Sequence, residues 1–314
     1  MPFPLLRTLA VVVVASTMFT NSAPTPSAPT AAARRWNATG HEVIASIAWS
    51  HLTPTAKARA VALLRAGPGQ AHLTDSDVGT TPAERDRNLF VMTSVWADVI
   101  KNRQIPSHVY DRGNWHYADF FWKEQDGKPV ALPDMGPDKE NALESLRVMQ
   151  ELLAGNAPDT SKAVALAWIE HLTGDVHQPL HLSARVTPDG PKGDRGGNDF
   201  KLGGNPSNLH AYWDGVLDLV EPHGDDLAGA VQKWATTIEQ KLPMTGFSAA
   251  ELDATPEVWG RESLAIAEKE LYPATLALGD RPSDAYRNNA AQVTERRMAL
   301  AGYRMARLLN RVLK

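Results

Sequence analysis

Apolar residues recur every three or four positions along most of the chain, which is the spacing of one face of an α-helix. The pattern predicts helices that begin near Thr39, Thr53, Thr81, Pro137, Thr160 and Ser207, and three more over about 225–241, 248–271 and 283–312. The helix that Ser207 caps is expected to continue through Leu219. Thr39 and Thr81 each precede a glutamate by three residues, which is the spacing of a capping box. Only the aromatic stretch 111–122 favours short extended structure, and the Gly-, Asp- and Pro-rich stretch 183–206 favours a long surface loop. We therefore predict an all-α fold, a single multi-helix domain with little β structure.

The first 35 residues do not follow the helical pattern. Arg7 precedes an apolar run from Leu9 to Phe19, which has the length of a secretory signal and is too short to span a bilayer. A Pro-, Thr- and Ala-rich spacer follows, and it ends in two arginines. We predict that residues 1–35 are a signal peptide and spacer, that residues 36–314 form the functional domain, and that the protein is secreted or periplasmic. A retained membrane anchor is the alternative, which the short apolar run disfavours.

The composition limits which metal ligands the protein can use and how it can attract nucleic acid. Hydrophobic residues make up 43% of the 314 positions, enough for a substantial core. The chain has no cysteine, so any metal must be bound through nitrogen and oxygen. The first 35 residues hold three arginines and no acidic residue, so the remainder carries 29 basic against 36 acidic residues. A protein that tracks duplex nucleic acid is usually basic, so any attraction for nucleic acid must be local.

The last predicted helix carries arginines that alternate with apolar residues. We expect these arginines to form a solvated face whose aliphatic stems cover apolar surface, and not a nucleic-acid groove. They are Arg287, Arg296, Arg297, Arg304, Arg307 and Arg311.

The stretch 171–181 has the spacing of a metal-binding platform. His171 and Asp175 are four residues apart, which places both side chains on one face of a helix. Pro179 blocks continuation of that helix, so His181 lies beyond its end and can point at a different position. A packed or capping role is the ordinary alternative for histidines of this kind. We expect His177, between them, to pack beside the site.

Other segments offer matching side chains in apolar or aromatic surroundings. They are Asp98, His116, the pair His210 and Asp214, and, near the predicted mature start, Trp36 and His41. Each has a structural explanation of its own, such as a cap, a salt bridge or a hydrogen bond to a carbonyl. Aspartate is seldom buried unless it is paired or bound to a metal, however, so their joint occurrence with the stretch 171–181 favours a polynuclear site.

These segments resemble the zinc-dependent single-strand-specific nucleases of fungi, plants and bacteria, which are also described as 3′-nucleotidases and are related in fold to bacterial phospholipase C. The motifs match in the family's order: Trp36-x4-His41, Trp96-Ala-Asp98, His171-x3-Asp175, Gln178-Pro-Leu-His181, Gly196-Gly-Asn198 and His210-x3-Asp214. The resemblance runs from Trp36 to at least Asp214. Tyr117 stands where the family commonly has Phe, and the disulfides that the family often has are absent.

The resemblance implies three zinc ions and assigns their ligands. One ion would take Asp98, His116, His171 and Asp175; a second would take His181, His210 and Asp214; the third would take His41, Asp175 as a bridge, and the α-amine and carbonyl oxygen of Trp36. The last assignment requires cleavage between Arg35 and Trp36, because an acylated backbone nitrogen is a poor ligand. Three zinc ions would exceed their carboxylates by about three positive charges, which gives an acidic protein a local site for phosphate.

The resemblance also implies a reaction and a substrate. A zinc-bound hydroxide would attack phosphate in line and leave 5′-phosphorylated products, with Asp98, Asp175 and Lys101 in the catalytic site. Tyr117 would stack on a base, Asp119 and Asn198 would contact its edge next to Gly196, and Lys101 would meet the phosphate. The expected substrates are single-stranded DNA and RNA and 3′-nucleotides, because a base must leave the stack to enter such a pocket. We expect a monomer without stable membrane insertion.

Two alternatives use the same residues. A zinc-dependent phospholipase C would cleave a phosphodiester that carries a lipid headgroup. A non-catalytic zinc-binding protein would hold its ions in closed coordination.

Overall fold

The computed structural model describes residues 38–222, 224 and 226–314. Trp36, the predicted signal segment and its cleavage point lie outside these residues.

Helices dominate the part of the chain that the structure describes. The α-helices are α1 (Ala38–His51), α2 (Pro54–Arg65), α3 (Pro82–Thr93), α4 (Trp96–Val99), α5 (Ala142–Ala154), α6 (Asp159–Asp175), α7 (Leu209–Asp214), α8 (Val216–Val220), α9 (Leu227–Lys241), α10 (Ala249–Leu252), α11 (Pro256–Ile266) and α12 (Asp284–Val312). Short 3₁₀ turns join several of them. Among the described helices, none combines the length and the apolar character that a bilayer span needs.

A small sheet accompanies the helices. Its strands are β1 (Phe121–Gln125), β2 (Lys128–Ala131) and β3 (Ala184–Val186). β1 lies in the middle, antiparallel to β2 and parallel to β3, with Trp122 opposite Ala131 and Phe121 opposite Ala184. The fold is thus helical with little β structure, as predicted. The extended structure expected over 111–122 begins only at Phe121, and a 3₁₀ turn (Gly113–His116) occupies the middle of that stretch.

The helix starts test the capping predictions. The Thr81 hydroxyl accepts from the Glu84 backbone N–H and the Glu84 carboxylate accepts from the Thr81 backbone, so this capping box is confirmed. The capping box at Thr39 is wrong. α1 already begins at Ala38, and the hydroxyl of Thr39 donates to Asp218 Oδ1 at 2.9 Å.

Two predicted starts are displaced. α5 begins at Ala142, not at Pro137, because the side chain of Asn141 accepts from the first free backbone N–H groups. α7 is capped by Asn208 and not by Ser207, and it ends at Asp214. The remaining residues of the predicted helix form α8 after Gly215.

Two helices, α1 and α6, lie at the centre of the core. α6 is buried from Ala165 to Asp175, and α1 is buried from Thr39 to Ala48. A helix that is buried on every side lies inside the protein, with other helices around it. α1 packs against α12 so closely that a Cβ on Gly302 would lie 2.6 Å from the side chain of Ile47. The polar residues on α1 and α6 are therefore held on the most rigid part of the fold.

The arginines of α12 do not all face solvent. Arg297 is 3% exposed and Arg304 is 1% exposed, so the predicted solvated face is wrong for these two residues. Both guanidinium groups bind Glu262 of α11. A buried arginine requires such a partner, and the helical pattern alone gave no indication of one.

Candidate metal centre

The end of α6 provides the geometry that the spacing predicts. His171 and Asp175 lie on one face, and the helix ends at Asp175. Pro179 begins a 3₁₀ turn (Pro179–Leu182) that carries His181 away from the helix axis. One continuous segment therefore presents three potential ligands in two directions.

Asp98, His116, His171 and Asp175 converge and form what we call the first cluster. His116 Nδ1, His171 Nε2 and Asp175 Oδ2 lie 2.9–3.1 Å from one another. Asp98 Oδ1 is 3.9 Å from both of the ring nitrogens. Ligand atoms about 2.1 Å from a tetrahedral zinc ion lie about 3.4 Å apart. The first cluster therefore has the size of a four-ligand metal site.

His181, His210 and Asp214 form the second cluster. His181 Nε2 lies 3.6 Å from Asp214 Oδ1, and His210 Nε2 lies 3.3 Å from Asp214 Oδ2. His181 Nε2 and Asp214 Oδ2 are buried and have no hydrogen-bond partner among the described residues. Buried polar atoms usually have a partner, and a divalent ion would provide one here.

Asp175 connects the two clusters. Its Oδ2 faces the first cluster, while its Oδ1 lies 3.5 Å from His41 Nε2 and 3.4 Å from His181 Nδ1. His41 also forms a possible metal-binding group with Asp98 and His171. The structure thus brings together every predicted ligand that lies in its described part.

Backbone carbonyls orient three of the imidazoles. The second ring nitrogen of His171, His181 and His210 lies 2.6–2.8 Å from the carbonyl oxygen of Ser94, His116 and Gly196, respectively. Each carbonyl accepts an Nδ1–H, which leaves Nε2 with a lone pair for a metal ion.

Two glycines permit close approaches at the site. A Cβ on Gly174 of α6 would lie 2.6 Å from His41 Nδ1, so the His41 ring rests directly on the backbone of α6. Gly196 has a φ of +61°, and a Cβ there would lie 2.4 Å from the carbonyl oxygen of Leu180. The stretch 183–206 is therefore not simply the surface loop that we predicted, because Gly196 and Gly197 are buried against the site and β3 lies within it.

The pKa values of several ionisable groups at the centre differ strongly from their ordinary values. Burial is the main reason why the pKa of His116 falls to about 4. Burial also opposes the charge of His181, but Asp175 and Asp214 outweigh it and raise the His181 pKa to about 9. Although burial opposes ionisation of Asp175, His171 and His181 hold its pKa well below the usual range. His181 must lose a proton before it binds a metal, so we expect metal affinity to increase with pH.

A cavity of about 480 Å³ opens above the clusters. Its lining includes the residues predicted to bind substrate, which are Lys101, Tyr117, Asp119, Gly196 and Asn198. His171 and Asp214 do not line it and lie beneath its floor, almost fully buried.

The predicted substrate residues differ in their surroundings. Lys101 Nζ donates to Asp98 Oδ1 at 2.6 Å, so its ammonium lies beside the first cluster. Tyr117 is 41% exposed, which leaves its ring accessible. Burial, followed by the nearby Asp194 and Asp138, raises the pKa of Asp119 to about 6.

Sequence reasoning gave no role to two residues at the site. Gln178 Nε2 donates to Asp214 Oδ1 at 2.7 Å, and Gln178 Oε1 accepts from the backbone N–H of Leu180. Arg195 lines the cavity and pairs with Asp199. Gln178 could have been noticed as part of the Gln178-Pro-Leu-His181 motif, whereas only the position of Arg195 beside Gly196 indicates its location.

Distant segments of a helical fold thus direct buried histidines and aspartates toward one open cavity. This arrangement defines the class: a helical protein whose His and Asp clusters can hold metal ions. A model of the S1/P1 nuclease family matches residues 36–314. The chain belongs to the S1/P1 nuclease family, and it is a hydrolytic nuclease.

Individual relatives agree with this membership over most of their length. Endonuclease 2 of Arabidopsis thaliana is 26% identical over 88% of this chain and 90% of its own. Nuclease P1 of Penicillium citrinum is 22% identical over 88% of this chain and 97% of its own. Nuclease S1 of Aspergillus oryzae is 23% identical over 88% and 91%, respectively.

Proposed function

We propose that the chain is a zinc-dependent endonuclease that prefers single-stranded DNA and RNA, with three ions held by the first cluster, the second cluster and a group made by His41, Asp175 and Trp36. The observation that carries the proposal is the position of Asp175 at the floor of an open cavity, with one oxygen toward His116 and His171 and the other 3.5 Å from Nε2 of His41. A carboxylate in this position suits a ligand shared by two ions, and paired ions are well suited to phosphodiester hydrolysis.

The residues of the chain have separate tasks in phosphate cleavage. Zinc, when bound, supplies a Lewis acid for the phosphate and lowers the pKa of water to about 7. Asp98 holds the Lys101 ammonium at the cavity wall, where that ammonium can bind a non-bridging phosphate oxygen. Water adds to the phosphorus in line with the 3′ oxygen while the bond between phosphorus and that oxygen breaks. The 3′ oxygen leaves as a hydroxyl with a proton from the water, and the phosphate stays on the 5′ oxygen of the next nucleotide. A 3′-nucleotide presents the same 3′ ester oxygen, so we also propose 3′-nucleotidase activity.

The residues of the cavity wall support a preference for single strands. The exposed ring of Tyr117 can stack on a base, and stacking of this kind contributes about 1–3 kcal/mol. Asp119 and Asn198 line the same cavity and can bind the edge of that base. A base paired in a duplex is not free to reach this surface.

The proposal includes processing at the N-terminus. Trp36 can bind the third ion through its α-amine only after residues 1–35 have been removed, so export to the periplasm or the medium would be a step in assembly. A chain that retains extra residues before Trp36 should bind one zinc ion fewer per molecule than the chain that begins there. Equal zinc contents by elemental analysis would exclude the role of Trp36.

One comparison tests the proposed function. The chain that begins at Trp36 is assayed on denatured DNA, RNA, duplex DNA and phosphatidylcholine, before and after removal of metal with a chelator and after return of zinc. We expect single-stranded DNA to be cut at least about ten times faster than duplex DNA. The activity should disappear with the chelator and return with zinc.

Other results would overturn the proposal. Cleavage that survives complete metal removal would exclude the zinc mechanism. Hydrolysis of phosphatidylcholine without cleavage of nucleic acid would favour the phospholipase C, which the family match disfavours. Bound zinc without either activity would favour the non-catalytic metal protein, although the open cavity above the clusters argues against closed coordination.

A further inference from the structure

Two buried arginines of α12 share one carboxylate behind the candidate metal centre. Arg304 makes a bidentate pair with Glu262 at 2.7 and 2.8 Å, and Arg297 Nη1 donates to the same carboxylate at 2.8 Å. Both arginines are almost fully buried, whereas the side chain of Glu262 is 30% exposed. Two guanidinium charges therefore face one carboxylate in a region from which water is largely excluded.

Three further contacts of this group reach the turn that follows α6, two of them directly and one through Ser263. Arg297 Nε donates to the carbonyl oxygen of His177 at 3.1 Å. Arg297 Nη2 donates to Ser263 Oγ at 2.8 Å, and the Ser263 hydroxyl donates to the carbonyl oxygen of Val176 at 2.6 Å. Arg304 Nη1 lies 2.9 Å from His177 Nε2. The two residues of this turn are thus bound at both of their carbonyls and at one side chain.

The imbalance between two buried guanidinium groups and one carboxylate makes these contacts important for the position of the turn. One carboxylate cannot neutralise two buried guanidinium groups, so their other N–H groups need strong neutral acceptors. The carbonyl of His177 is among these acceptors, together with those of Glu251 and Trp259. The carbonyl of Val176 is joined to Arg297 only through the Ser263 hydroxyl, which accepts from Arg297 and donates to that carbonyl. Displacing the turn would leave a buried cationic donor without a partner, which is a much larger penalty than the loss of one ordinary hydrogen bond.

The same contacts fix the tautomer of His177. A guanidinium can only donate, so His177 Nε2 must accept from Arg304, and the proton must be on Nδ1. That Nδ1–H donates to the carbonyl oxygen of Thr173 at 2.7 Å. The ring of His177 therefore links Arg304 to the last turn of α6 in one orientation.

The turn of residues 176–177 joins a residue of the first cluster to a residue that contacts the second cluster. Asp175 immediately precedes it, and Gln178 immediately follows it and donates to Asp214 of the second cluster. We infer that Arg297, Arg304 and Ser263 are positioning residues that fix the turn of residues 176–177, and that they thereby set the spacing between the first and the second cluster. The inference rests on the proposed metal centre.

A mild and a strong variant test this role. Ser263→Ala removes the hydroxyl that joins Arg297 to Val176, and Arg304→Met removes the contact with His177. The matched controls are Ser46→Ala, whose buried hydroxyl accepts from Arg87, and Arg307→Met, one helical turn after Arg304 on α12, which loses a bidentate pair with Asp253 at the end of α10. Zinc affinity is measured by competition with a coloured chelator, on the chain that begins at Trp36, at a temperature where circular dichroism shows each protein to be folded.

We expect Ser263→Ala to weaken zinc binding about tenfold, Arg304→Met to weaken it further, and both controls to stay within about twofold of wild type. The kcat on single-stranded DNA should fall in the same order, while KM changes by less than about threefold, because the substrate-binding wall is untouched. A purely structural role would lower the melting temperature without changing the zinc affinity of the folded protein.

The possible failures are distinguishable. If the wild type binds zinc and Ser263→Ala binds it equally well with unchanged kcat, the inference is wrong and the proposed function stands. If the wild type binds no zinc, the proposed function fails and the inference fails with it. Should Arg304→Met not fold, the comparison of Ser263→Ala with Ser46→Ala decides.

Discussion

Asp175 uses its two oxygens for different neighbours, which makes the candidate centre unusually dependent on one side chain. Oδ2 faces His116 and His171, and Oδ1 faces His41 and His181. Loss of the carboxylate as an anionic ligand would therefore affect two metal positions together. Loss of a residue such as His210, which belongs to the second cluster alone, would affect one.

Asp175→Asn should lower kcat/KM on single-stranded DNA at least about a hundredfold, because a neutral amide is a poor bridge between two ions. It should also reduce the rise in melting temperature that zinc produces. The control is Asp159→Asn, which changes an exposed carboxylate at the other end of α6 that is paired with Arg59. Near-normal turnover in Asp175→Asn would exclude the bridging role.

Asp119 leads to a prediction about pH. Its pKa of about 6 lies above the ordinary value, so the carboxyl is protonated below about pH 6 and is ionised above it. Only the ionised form accepts hydrogen bonds on both oxygens. We therefore expect kcat/KM for substrates whose bases carry amino groups to increase relative to kcat/KM for thymine substrates as the pH rises from 5 to 8.

The ratio of kcat/KM for the two substrates is the appropriate measurement, because titration of the metal centre affects both substrates and cancels. Asp119→Asn should make this ratio independent of pH. A wild-type ratio that does not change with pH would argue against contact between Asp119 and the base.

The helix spacing of His171 and Asp175 was visible in the sequence, because it depends only on local geometry. The orientation of each imidazole was not. His171 and His181 are aimed by the carbonyls of Ser94 and His116, which the fold brings from far away in the chain. Thr39 illustrates the reverse error, because it has the spacing of a capping box but lies inside α1, which begins at Ala38.

At the scale of elements, α1 and α6 form the frame of the centre. Both helices are buried nearly all round, so their apolar pattern predicts that they are helices but not which face points to which neighbour. The sequence also overestimated the continuity of helices. The segment after Ser207 divides at Gly215 into α7 and α8, although its apolar pattern looked continuous.

Gly174→Ala tests the contact between these two helices. In an exposed helix the change would stabilise by about 1 kcal/mol. Here the new Cβ would lie 2.6 Å from His41 Nδ1, so the ring of His41 must shift relative to α6, which carries Asp175. We expect lower zinc content and at least about a tenfold loss of kcat.

Gly246→Ala is the control for Gly174→Ala, because a Cβ at Gly246 would meet nothing within 4 Å. Unchanged zinc content and unchanged kcat in Gly174→Ala would show that α1 and α6 can separate without harm to the centre.

At the scale of the whole molecule, the helical class was predictable because helical periodicity is a local and repeated signal. The burial of Arg297 and Arg304 was not predictable, since it depends on Glu262, which lies in another helix. The net charge of the chain was also a poor guide to its substrate. An acidic chain can still act on a polyanion if its positive charge is concentrated at one buried centre.

Removal of metal should destabilise the entire fold. The clusters join segments that lie far apart in the chain, and the chain has no disulfide to hold them together. A site held at a hundred times its dissociation constant adds about 2.7 kcal/mol to the free energy of unfolding. In a protein of this size we expect the melting temperature to fall by at least about 5 °C in excess chelator. An unchanged melting temperature would show that the described fold does not bind metal with useful affinity.

The contact between Gly302 and Ile47 has a consequence for biosynthesis. α1, which carries His41, packs against α12, and α12 is synthesised after every other described helix. A nascent chain therefore lacks the surface that buries α1 until α12 has been synthesised. We expect the centre to assemble late, so that incomplete chains surrounded by messenger RNA are not yet competent to degrade it.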